Sequence, residues 1–155
     1  MNSGEFMSLF TNGVVVMLIG RFQHNMDDKG RVFVPAKLRE GLGLSFYVTV
    51  GLDNCLFLYS IEEWKKQEDK ICSLPMAESR KLQRFFFSNA MLLEPDKQGR
   101  VLIPQYLRTY AKLEGEALIL GVGRRAEIWN PARFEALEQE MTAEAAASEM
   151  EKLGF

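Results

Sequence analysis

The sequence predicts an α+β fold that is rich in β-strands and consists of two copies of one small module. Three observations support this prediction: the motif at 27–39 recurs at 96–108, both copies carry short runs of β-branched and aromatic residues, and both end in an amphipathic helix. The chain has 155 residues, of which 47% are hydrophobic, so two small fused modules can bury a sizeable core.

The repeated motif aligns at an offset of 69 residues. The identical pairs are Asp27 and Asp96, Gly30 and Gly99, Arg31 and Arg100, Val32 and Val101, Pro35 and Pro104, Leu38 and Leu107, and Arg39 and Arg108. Further along, the match continues at an offset of 70, which pairs Gly51 with Gly121, 56–59 with 126–129, and Trp64 with Phe134. The second copy therefore has one additional loop residue, and the order of elements is shared.

Each copy is predicted to run strand, turn, short strand, short helix, two strands and helix. In the turn, Asp27 can accept backbone hydrogen bonds and Gly30 can adopt positive φ, as a tight strand reversal requires. The runs 32–34 and 101–103 suit buried strands, and Pro35 ends the first of them because proline lacks a ladder donor and can begin a helix. Each copy thus presents an Asp-x-x-x-Arg turn between two strands.

The repeat divides the chain into five predicted segments. They are a leader or tag at 1–16, a first module at 17–72, a connector helix at 73–89, a second module at 90–138, and an acidic C-terminal helix or tail at 139–155. The connector contains Phe85-Phe86-Phe87, and three consecutive aromatic side chains cannot share one helical face, so at least one is expected to point away from its module. Packing between the copies and contact with another subunit are alternative explanations of these phenylalanines.

The side-chain inventory argues against catalysis. His24 is the chain's one histidine, and the nucleotide-binding, serine-hydrolase and metalloprotease motifs are absent from the sequence. Gly41-Leu42-Gly43 and Gly121-Val122-Gly123 are too short for a dinucleotide fingerprint and are predicted to lie in loops. Cys55 and Cys72 lack disulfide or metal-site spacing and are predicted to be small buried side chains. We expect no catalytic residue, metal, cofactor, small-molecule substrate or membrane span.

The distribution of charge favours a nucleic-acid partner, although the net charge is −2. Residues 131–155 contain two basic residues and six glutamates, so residues 1–130 carry a net charge of +2. Around the two turns, residues 21–39 and residues 96–112 each carry +3. A duplicated cationic hairpin can lie against phosphates and place an arginine in a groove of double-stranded DNA.

Arg31 and Arg100 are the candidate base-reading residues, since a guanidinium group can donate two hydrogen bonds to guanine. An aspartate four residues earlier, Asp27 or Asp96, can hold the guanidinium group in one rotamer and so reduce the entropy lost on binding. The candidates for phosphate contacts are Lys29, Lys97, Arg39 and Arg108. The alternative is that each Asp-x-x-x-Arg pair is only an intramolecular salt bridge that fastens its turn.

Several motifs together resemble the MraZ family of bacteria. They are Met17-Leu18-Ile19-Gly20, the two Asp-x-x-x-Arg turns, Gly51-Leu52-Asp53-Asn54-Cys55-Leu56, Arg84-Phe85-Phe86-Phe87 and Ile128-Trp129, and the resemblance extends from residue 17 to about residue 138. It implies tandem AbrB-like swapped-hairpin modules that form a pseudo-two-fold, double-split β-barrel with peripheral helices, assembled into a ring-shaped homo-oligomer. It also implies a transcriptional regulator of the cytoplasm and nucleoid that binds short direct repeats in the promoter of the division and cell-wall gene cluster, with Asp27, Arg31, Asp96 and Arg100 at the DNA.

Two other functions stay open on the sequence alone. The acidic segment 131–150, predicted as one helix, could dock onto protein partners while the turns serve only the fold. A small enzyme would require a pocket with convergent polar groups.

Overall fold

The structure, a computed structural model, describes residues 16–155. The predicted leader or tag at 1–16 therefore lies outside the described residues, except for Val16. The fold is α+β, as the sequence predicts, and its strands are mostly antiparallel. In the described part of the chain, no helix is long and apolar enough to cross a membrane.

Both copies follow the predicted order of elements. The first contains β1 (Leu18–Asn25), β2 (Arg31–Phe33), α1 (Ala36–Leu42), β3 (Phe46–Val50), a 3₁₀ turn (Leu52–Asn54), β4 (Leu56–Ser60) and α2 (Ile61–Cys72). The connector forms α3 (Met76–Leu82), which continues as a π-helical turn (Gln83–Phe87). The second copy contains β5 (Met91–Leu93), β6 (Arg100–Leu102), α4 (Gln105–Ala111), β7 (Glu116–Gly123), β8 (Ala126–Trp129) and α5 (Pro131–Glu138), and α6 (Ala143–Lys152) follows it.

Prolines and small polar residues mark the helix starts. Pro35 and Pro104 stand immediately before α1 and α4, where no ladder donor is needed. The hydroxyl group of Ser60 accepts a hydrogen bond from the N–H of Glu63 at 3.2 Å and caps α2. The side chain of Asn130 caps the first turn of α5 in the same way. These starts are set by local sequence, which is why the repeat predicts them.

Strand pairing crosses between the copies. Six strands form an antiparallel sheet in the order β1-β7-β8-β4-β3-β5, and β2 and β6 form a separate two-stranded sheet. β1 of the first copy pairs with β7 of the second, from Leu18 opposite Gly123 to Asn25 opposite Glu116, and β5 of the second copy pairs with β3 of the first. Each copy therefore contributes its first strand to the sheet of the other, and the two copies share one core.

The two faces of the six-stranded sheet bury different clusters. One face packs with β2, β6, α1 and α4 in an apolar core whose members include Val32, Leu38, Phe46, Leu58, Val101, Leu107, Ile119 and Ile128. The other face carries an aromatic-rich cluster, which consists of Cys55, Phe57, Tyr59, Trp64, Leu118, Leu120, Trp129 and Phe134. Because both faces are covered, the central strands are nearly continuous apolar runs, and the paired positions Trp64 and Phe134 lie in one cluster.

The acidic segment 131–150 is not the single helix that the sequence predicts. α5 and α6 are separate helices, because Thr142 between them has extended backbone angles and its hydroxyl group accepts a hydrogen bond from the N–H of Ala145 at 3.1 Å. Thr142 thus caps a new helix. After this break every residue from 141 to 155 is exposed.

The prediction that both Gly-x-Gly segments lie in loops is wrong. Gly121 lies inside β7, where a Cβ atom would collide with the backbone of Ile19 on the neighbouring strand β1. Gly41 lies within α1, and Gly43 directly follows that helix with φ of +97°. Close approach between strands, which a single sequence does not reveal, is therefore the reason for one of these glycines.

One of the two cysteine predictions is also wrong. Cys55 is buried, as predicted, whereas Cys72 is exposed. The last buried residue of α2 is Ile71, and Cys72 follows it at the end of the helix, where it points away from the core. His24 is half-buried on β1, and its ring lies 5.0 Å from that of Phe33.

The three connector phenylalanines diverge as the helical periodicity predicts. Phe86 and Phe87 pack against the aromatic-rich cluster, where the Phe87 ring lies 5.7 Å from that of Trp64. Phe85 is exposed. Packing within the chain therefore explains two of these side chains and leaves Phe85 on the surface.

Candidate nucleic-acid interface

The turn between β1 and β2 is fastened by the carboxylate of Asp27. Its Oδ1 accepts hydrogen bonds from the backbone N–H groups of Lys29 at 3.0 Å and Arg31 at 2.9 Å, and its Oδ2 accepts one from Arg31 Nε at 2.7 Å. Gly30 has φ of +88° and donates its N–H to the Asp27 carbonyl group at 3.0 Å. One carboxylate therefore fixes both the backbone of the turn and the guanidinium group.

The turn between β5 and β6 has the same geometry. The Oδ1 atom of Asp96 accepts hydrogen bonds from the N–H groups of Gln98 and Arg100, both at 2.9 Å, and Oδ2 accepts one from Arg100 Nε at 3.0 Å. Gly99 has φ of +83°. The two copies thus hold their arginines in equivalent ways, although their turn sequences differ.

Backbone hydrogen bonds hold the pKa of both aspartates below its ordinary value. The main cause is the N–H of Arg31 for Asp27 and the N–H of Arg100 for Asp96, and the guanidinium groups act in the same direction. Both carboxylates are therefore ionised at neutral pH, and each ion pair persists there.

The two turns lie side by side because β2 pairs with β6. Val32 and Val101 are opposite each other at the centre of this short ladder. The Oδ2 atom of Asp27 is 2.7 Å from Arg31 Nε and 4.0 Å from Arg100 Nη1, so this carboxylate lies between the arginines of both copies. The four residues that the family resemblance implies as DNA contacts therefore form one surface cluster.

Both guanidinium groups are anchored through Nε. About a third of each side chain is exposed, 34% for Arg31 and 32% for Arg100. Among residues 16–155, the Nη amino groups of these two arginines donate no hydrogen bond. The Nη groups, with which arginine binds guanine or phosphate, are thus left for a partner outside the described chain.

Arg39 and Arg108 each pack against the turn of the other copy. Each donates a hydrogen bond from Nε to a carbonyl group of its own copy, at 2.8 and 2.9 Å respectively. A Cβ atom on Gly30 would lie 2.5 Å from Nε and Cζ of Arg108, and a Cβ atom on Gly99 would lie 3.0 Å from Cζ of Arg39. These half-buried arginines support the turns, whereas Lys29 is exposed at the tip of its turn.

Comparison with known proteins assigns the family. The model of the MraZ protein family, which is described as antitoxin-like, matches residues 17–85 and again residues 86–154. The chain belongs to the MraZ family. The two matches also agree with the internal repeat, since each covers one copy.

Curated relatives named transcriptional regulator MraZ match most of the chain. The relative from Acetivibrio thermocellus is 50% identical over 143 residues, which cover 90% of this chain and 100% of the relative. The relative from Desulforamulus reducens is 54% identical over 121 residues, covering 77% of this chain and 85% of the relative. The relative from Pelotomaculum thermopropionicum is 53% identical over 121 residues, which cover 77% of this chain and 83% of the relative. MraZ is a family of transcriptional regulators and not of enzymes.

The intramolecular salt bridge that the sequence left as an alternative is present in both turns of this MraZ family member. This salt bridge does not compete with a role at DNA, because each carboxylate accepts a hydrogen bond from Nε and, among residues 16–155, the Nη groups donate none. The same ion pair can therefore fasten the turn and orient the guanidinium group.

The rest of the described chain offers few groups that could bind a metal ion or act in catalysis. In residues 16–155, no group of three or more His, Cys, Asp or Glu side chains is placed to hold a metal ion. An open cleft of about 360 Å³ is lined by Asp53, Asn54, Trp129, Arg133, Ala136, Leu137 and Glu140. The Nε atom of Arg133 is buried there without a hydrogen-bond partner in the described chain. The lining contains no nucleophile beside a general base, so the cleft does not favour the small-enzyme hypothesis.

Two features escape prediction from the sequence. The first is the support of each turn by an arginine of the other copy, for which the recurrence of Arg39 as Arg108 was the available signal. The second is Glu127, a buried carboxylate that accepts hydrogen bonds from Arg125 at 2.8 Å and from Trp129 Nε1 at 2.9 Å. The repeat aligns Glu127 with Phe57, so nothing in the pattern predicts this polar cluster.

Proposed function

We propose that the chain is a transcriptional regulator that binds double-stranded DNA through its two Asp-x-x-x-Arg turns. Arg31 and Arg100 contact the bases, and Asp27 and Asp96 orient the guanidinium groups of these arginines. The observation that supports this most directly is the pair of guanidinium groups anchored through Nε on adjacent strands. The relatives named transcriptional regulator MraZ support the same function.

Preorganisation is the physical advantage of this arrangement. A free arginine side chain carries about 2 kcal/mol of rotamer entropy, part of which is lost when it binds. In the turns the carboxylates of Asp27 and Asp96 restrict each guanidinium group before DNA arrives. A bidentate contact with guanine then contributes roughly 1–3 kcal/mol of discrimination against other bases.

Basic residues around the turns provide the sequence-independent part of binding. Lys29 and Lys97 are exposed beside the reading arginines, and we propose that they contact phosphates. The guanidinium groups of Arg108 and Arg39 pack against Gly30 and Gly99 of the turns, and we propose these two arginines for phosphate contacts in addition to their support of the turns. These contacts set position and orientation without selecting bases.

We further propose that the chain acts as a ring-shaped homo-oligomer on direct repeats in the promoter of the division and cell-wall gene cluster, in the cytoplasm and at the nucleoid. Two turns neutralise few phosphates, so several chains on adjacent repeats would raise the affinity through effective concentration. The pairing of β1 with β7 and of β5 with β3 supports the AbrB-like swapped-hairpin barrel that this family resemblance implies.

Titration of a fluorescent duplex that carries the promoter repeats tests the role of the arginines. We expect Arg31→Ala and Arg100→Ala each to weaken binding by about tenfold or more, and the double variant to retain only non-specific binding. Arg124→Ala is the matched control, because Arg124 is an exposed arginine in the β7–β8 hairpin, near the end of β1 that is far from the turns. Parental affinity in the double variant would exclude base reading by Arg31 and Arg100.

The salt dependence of binding tests the phosphate contacts separately. We expect Lys29→Met and Lys97→Met each to reduce the slope of log K against log salt by about 0.9 and to weaken all duplexes equally. A parent protein whose affinity does not change with salt would contradict phosphate contacts altogether.

A further inference from the structure

The open cleft bordered by the 3₁₀ turn and α5 contains an arginine without a side-chain partner. The Nε atom of Arg133 is buried and has no hydrogen-bond partner in the described chain. Asp53 and Glu140 line the same cleft, yet among residues 16–155 neither carboxylate forms an ion pair with Arg133. Because a buried N–H group without an acceptor is unfavourable, its presence in a cleft indicates that the acceptor comes from another molecule.

The charges of the cleft specify the charges of its ligand. Of the described residues that line it, Arg133 is positive and Asp53 and Glu140 are negative, so one positive and two negative groups give a formal charge of −1. None of the three forms an ion pair with any other residue that the structure describes. A ligand with one carboxylate and two positively charged groups matches this set group by group and has the opposite net charge.

The size of the cleft limits the ligand to a small molecule. The volume is about 360 Å³, close to the lower end of the range of about 300–1,000 Å³ that is typical of ligand sites. Trp129 and Leu137 are the large apolar side chains of the lining. Trp129 is fixed in the sheet, because its Nε1–H donates a hydrogen bond to Glu127 at 2.9 Å. The cleft therefore suits a molecule of amino-acid size, in which a short aliphatic chain joins the polar ends.

The loop that carries Asp53 and Asn54 is held in place before a ligand binds. Both residues have left-handed backbone angles, with φ of +62° and +60°, which aspartate and asparagine adopt more readily than most other residues. The hydroxyl group of Tyr110 donates a hydrogen bond to the carbonyl group of Gly51 at 2.5 Å, and the N–H of Gly51 donates to the carbonyl group of Cys55 at 2.7 Å. A preformed loop reduces the entropy that is lost on binding.

We propose that this cleft binds a free α-amino acid with a positively charged side chain. Arg133 binds the carboxylate of the ligand, and Asp53 and Glu140 bind its two positively charged groups. The aliphatic chain of the ligand lies against Trp129 and Leu137. The ligand is bound and not transformed, because the described lining contains no nucleophile beside a general base. This inference goes beyond the proposed function and does not depend on DNA binding.

Isothermal titration calorimetry of the full-length protein with L-lysine and L-arginine tests the site. We expect at least one of these amino acids to bind, and to bind about tenfold or more tightly than L-norleucine, because norleucine lacks the side-chain charge. Cadaverine lacks the carboxylate that Arg133 would bind, and L-glutamate has a net charge of the same sign as the cleft. Neither of these two compounds should therefore bind.

Three single variants locate the binding in this cleft. Arg133→Met, Asp53→Asn and Glu140→Gln each remove one charge, and we expect each to weaken binding of the amino acid by about tenfold or more. Asparagine at position 53 tolerates positive φ, so the conformation of the loop is kept. Glu135→Gln is the matched control, because Glu135 is exposed on α5 but does not line the cleft, and this variant should bind as the parent does.

Circular dichroism establishes which variants are folded. If Arg133→Met does not fold, the comparison of lysine and arginine with norleucine on the parent protein makes the same test of charge. The proposal is wrong if neither lysine nor arginine binds, or if norleucine, cadaverine or glutamate binds as tightly as they do. Parental affinity in folded Arg133→Met would also overturn it, since the carboxylate would then be bound elsewhere.

Discussion

Arg108 of the second copy packs against Gly30 of the first so closely that a Cβ atom on this glycine would lie 2.5 Å from Arg108 Nε. The reciprocal contact is looser, since a Cβ atom on Gly99 would lie 2.9 Å from the Phe33 ring and 3.0 Å from Arg39. The turn that presents Arg31 is therefore shaped partly by a residue of the other copy.

The first prediction concerns the two turn glycines. We expect Gly30→Ala to lower the free energy of unfolding by roughly 1–3 kcal/mol. The loss should exceed that of Gly99→Ala, because both glycines have positive φ but the added methyl group at position 30 would lie 2.5 Å from Arg108, closer than any neighbour at position 99. Gly115→Ala is the control, since Gly115 has φ of +72° but no atom within 4 Å of a Cβ. Urea unfolding measures all three, and equal losses for Gly30→Ala and Gly115→Ala would show that the contact with Arg108 is not restrictive.

The second prediction separates support of the turn from charge. Arg108→Lys keeps the positive charge but removes the Nε–H that is 2.9 Å from the carbonyl group of Ile103. We expect weaker binding to promoter repeats with an unchanged salt slope, because the charge is still present. Lys37→Arg, an exposed change on α1, should have no effect. If Arg108→Lys binds the duplex with parental affinity in these titrations, Arg108 contributes only its positive charge and not its support of the turn.

The third prediction concerns acid stability. The folded-state pKa of Asp27 and Asp96 lies below the unfolded value near 3.8, so their ionised forms contribute stability that is fully present above that value and is lost as the pH falls through the folded pKa. The double variant Asp27→Asn with Asp96→Asn should be less stable than the parent at pH 7, and this difference should shrink below about pH 3.8. Urea titrations from pH 2 to pH 7 measure it. A difference that is constant with pH would mean that carboxylate charge does not stabilise the turns.

The fourth prediction concerns thiol reactivity. Burial raises the pKa of the Cys55 thiol to about 12, and its Sγ lies 3.1 Å from the carbonyl oxygen of Leu52, to which it donates. Iodoacetamide at pH 8 should therefore modify the exposed Cys72 and leave Cys55 intact, as mass spectrometry of the peptides would show. Cys72→Ser should remain unmodified until denaturant is added. An adduct on Cys55 in the folded protein would show that the sheet opens at this position.

Local signals account for the parts of the fold that the sequence predicts. Asp27, Gly30 and Pro35 act on their own turn or the next few residues, so the order of strands and helices follows from them. The pairing of β1 with β7 joins Leu18 to Gly123, which are far apart in the sequence, and no local pattern specifies such a pair. Likewise, the glycine at position 121 is explained by the backbone of β1, the strand that pairs with β7 at this position.

The candidate site likewise has local contacts that the sequence predicts and contacts between the two copies that it does not. The ion pair between Asp27 and Arg31 was predictable, since both residues belong to one tight turn. The approach of Arg100 to Asp27 and the packing of Arg108 on Gly30 depend on the ladder between β2 and β6, which joins the two copies. The residues of the cluster could therefore be named from the sequence, but not the fact that both turns share one surface.

The exchange of first strands within one chain has a consequence for symmetry. A homodimer of single modules presents two identical turns and is suited to palindromic sites, because its two-fold axis must coincide with that of the duplex. A covalent link between the copies removes this requirement, and Asp28-Lys29 in one turn has diverged from Lys97-Gln98 in the other. The surface that carries both arginines thus has a polarity, so a chain bound through it would distinguish one direction along a duplex from the other.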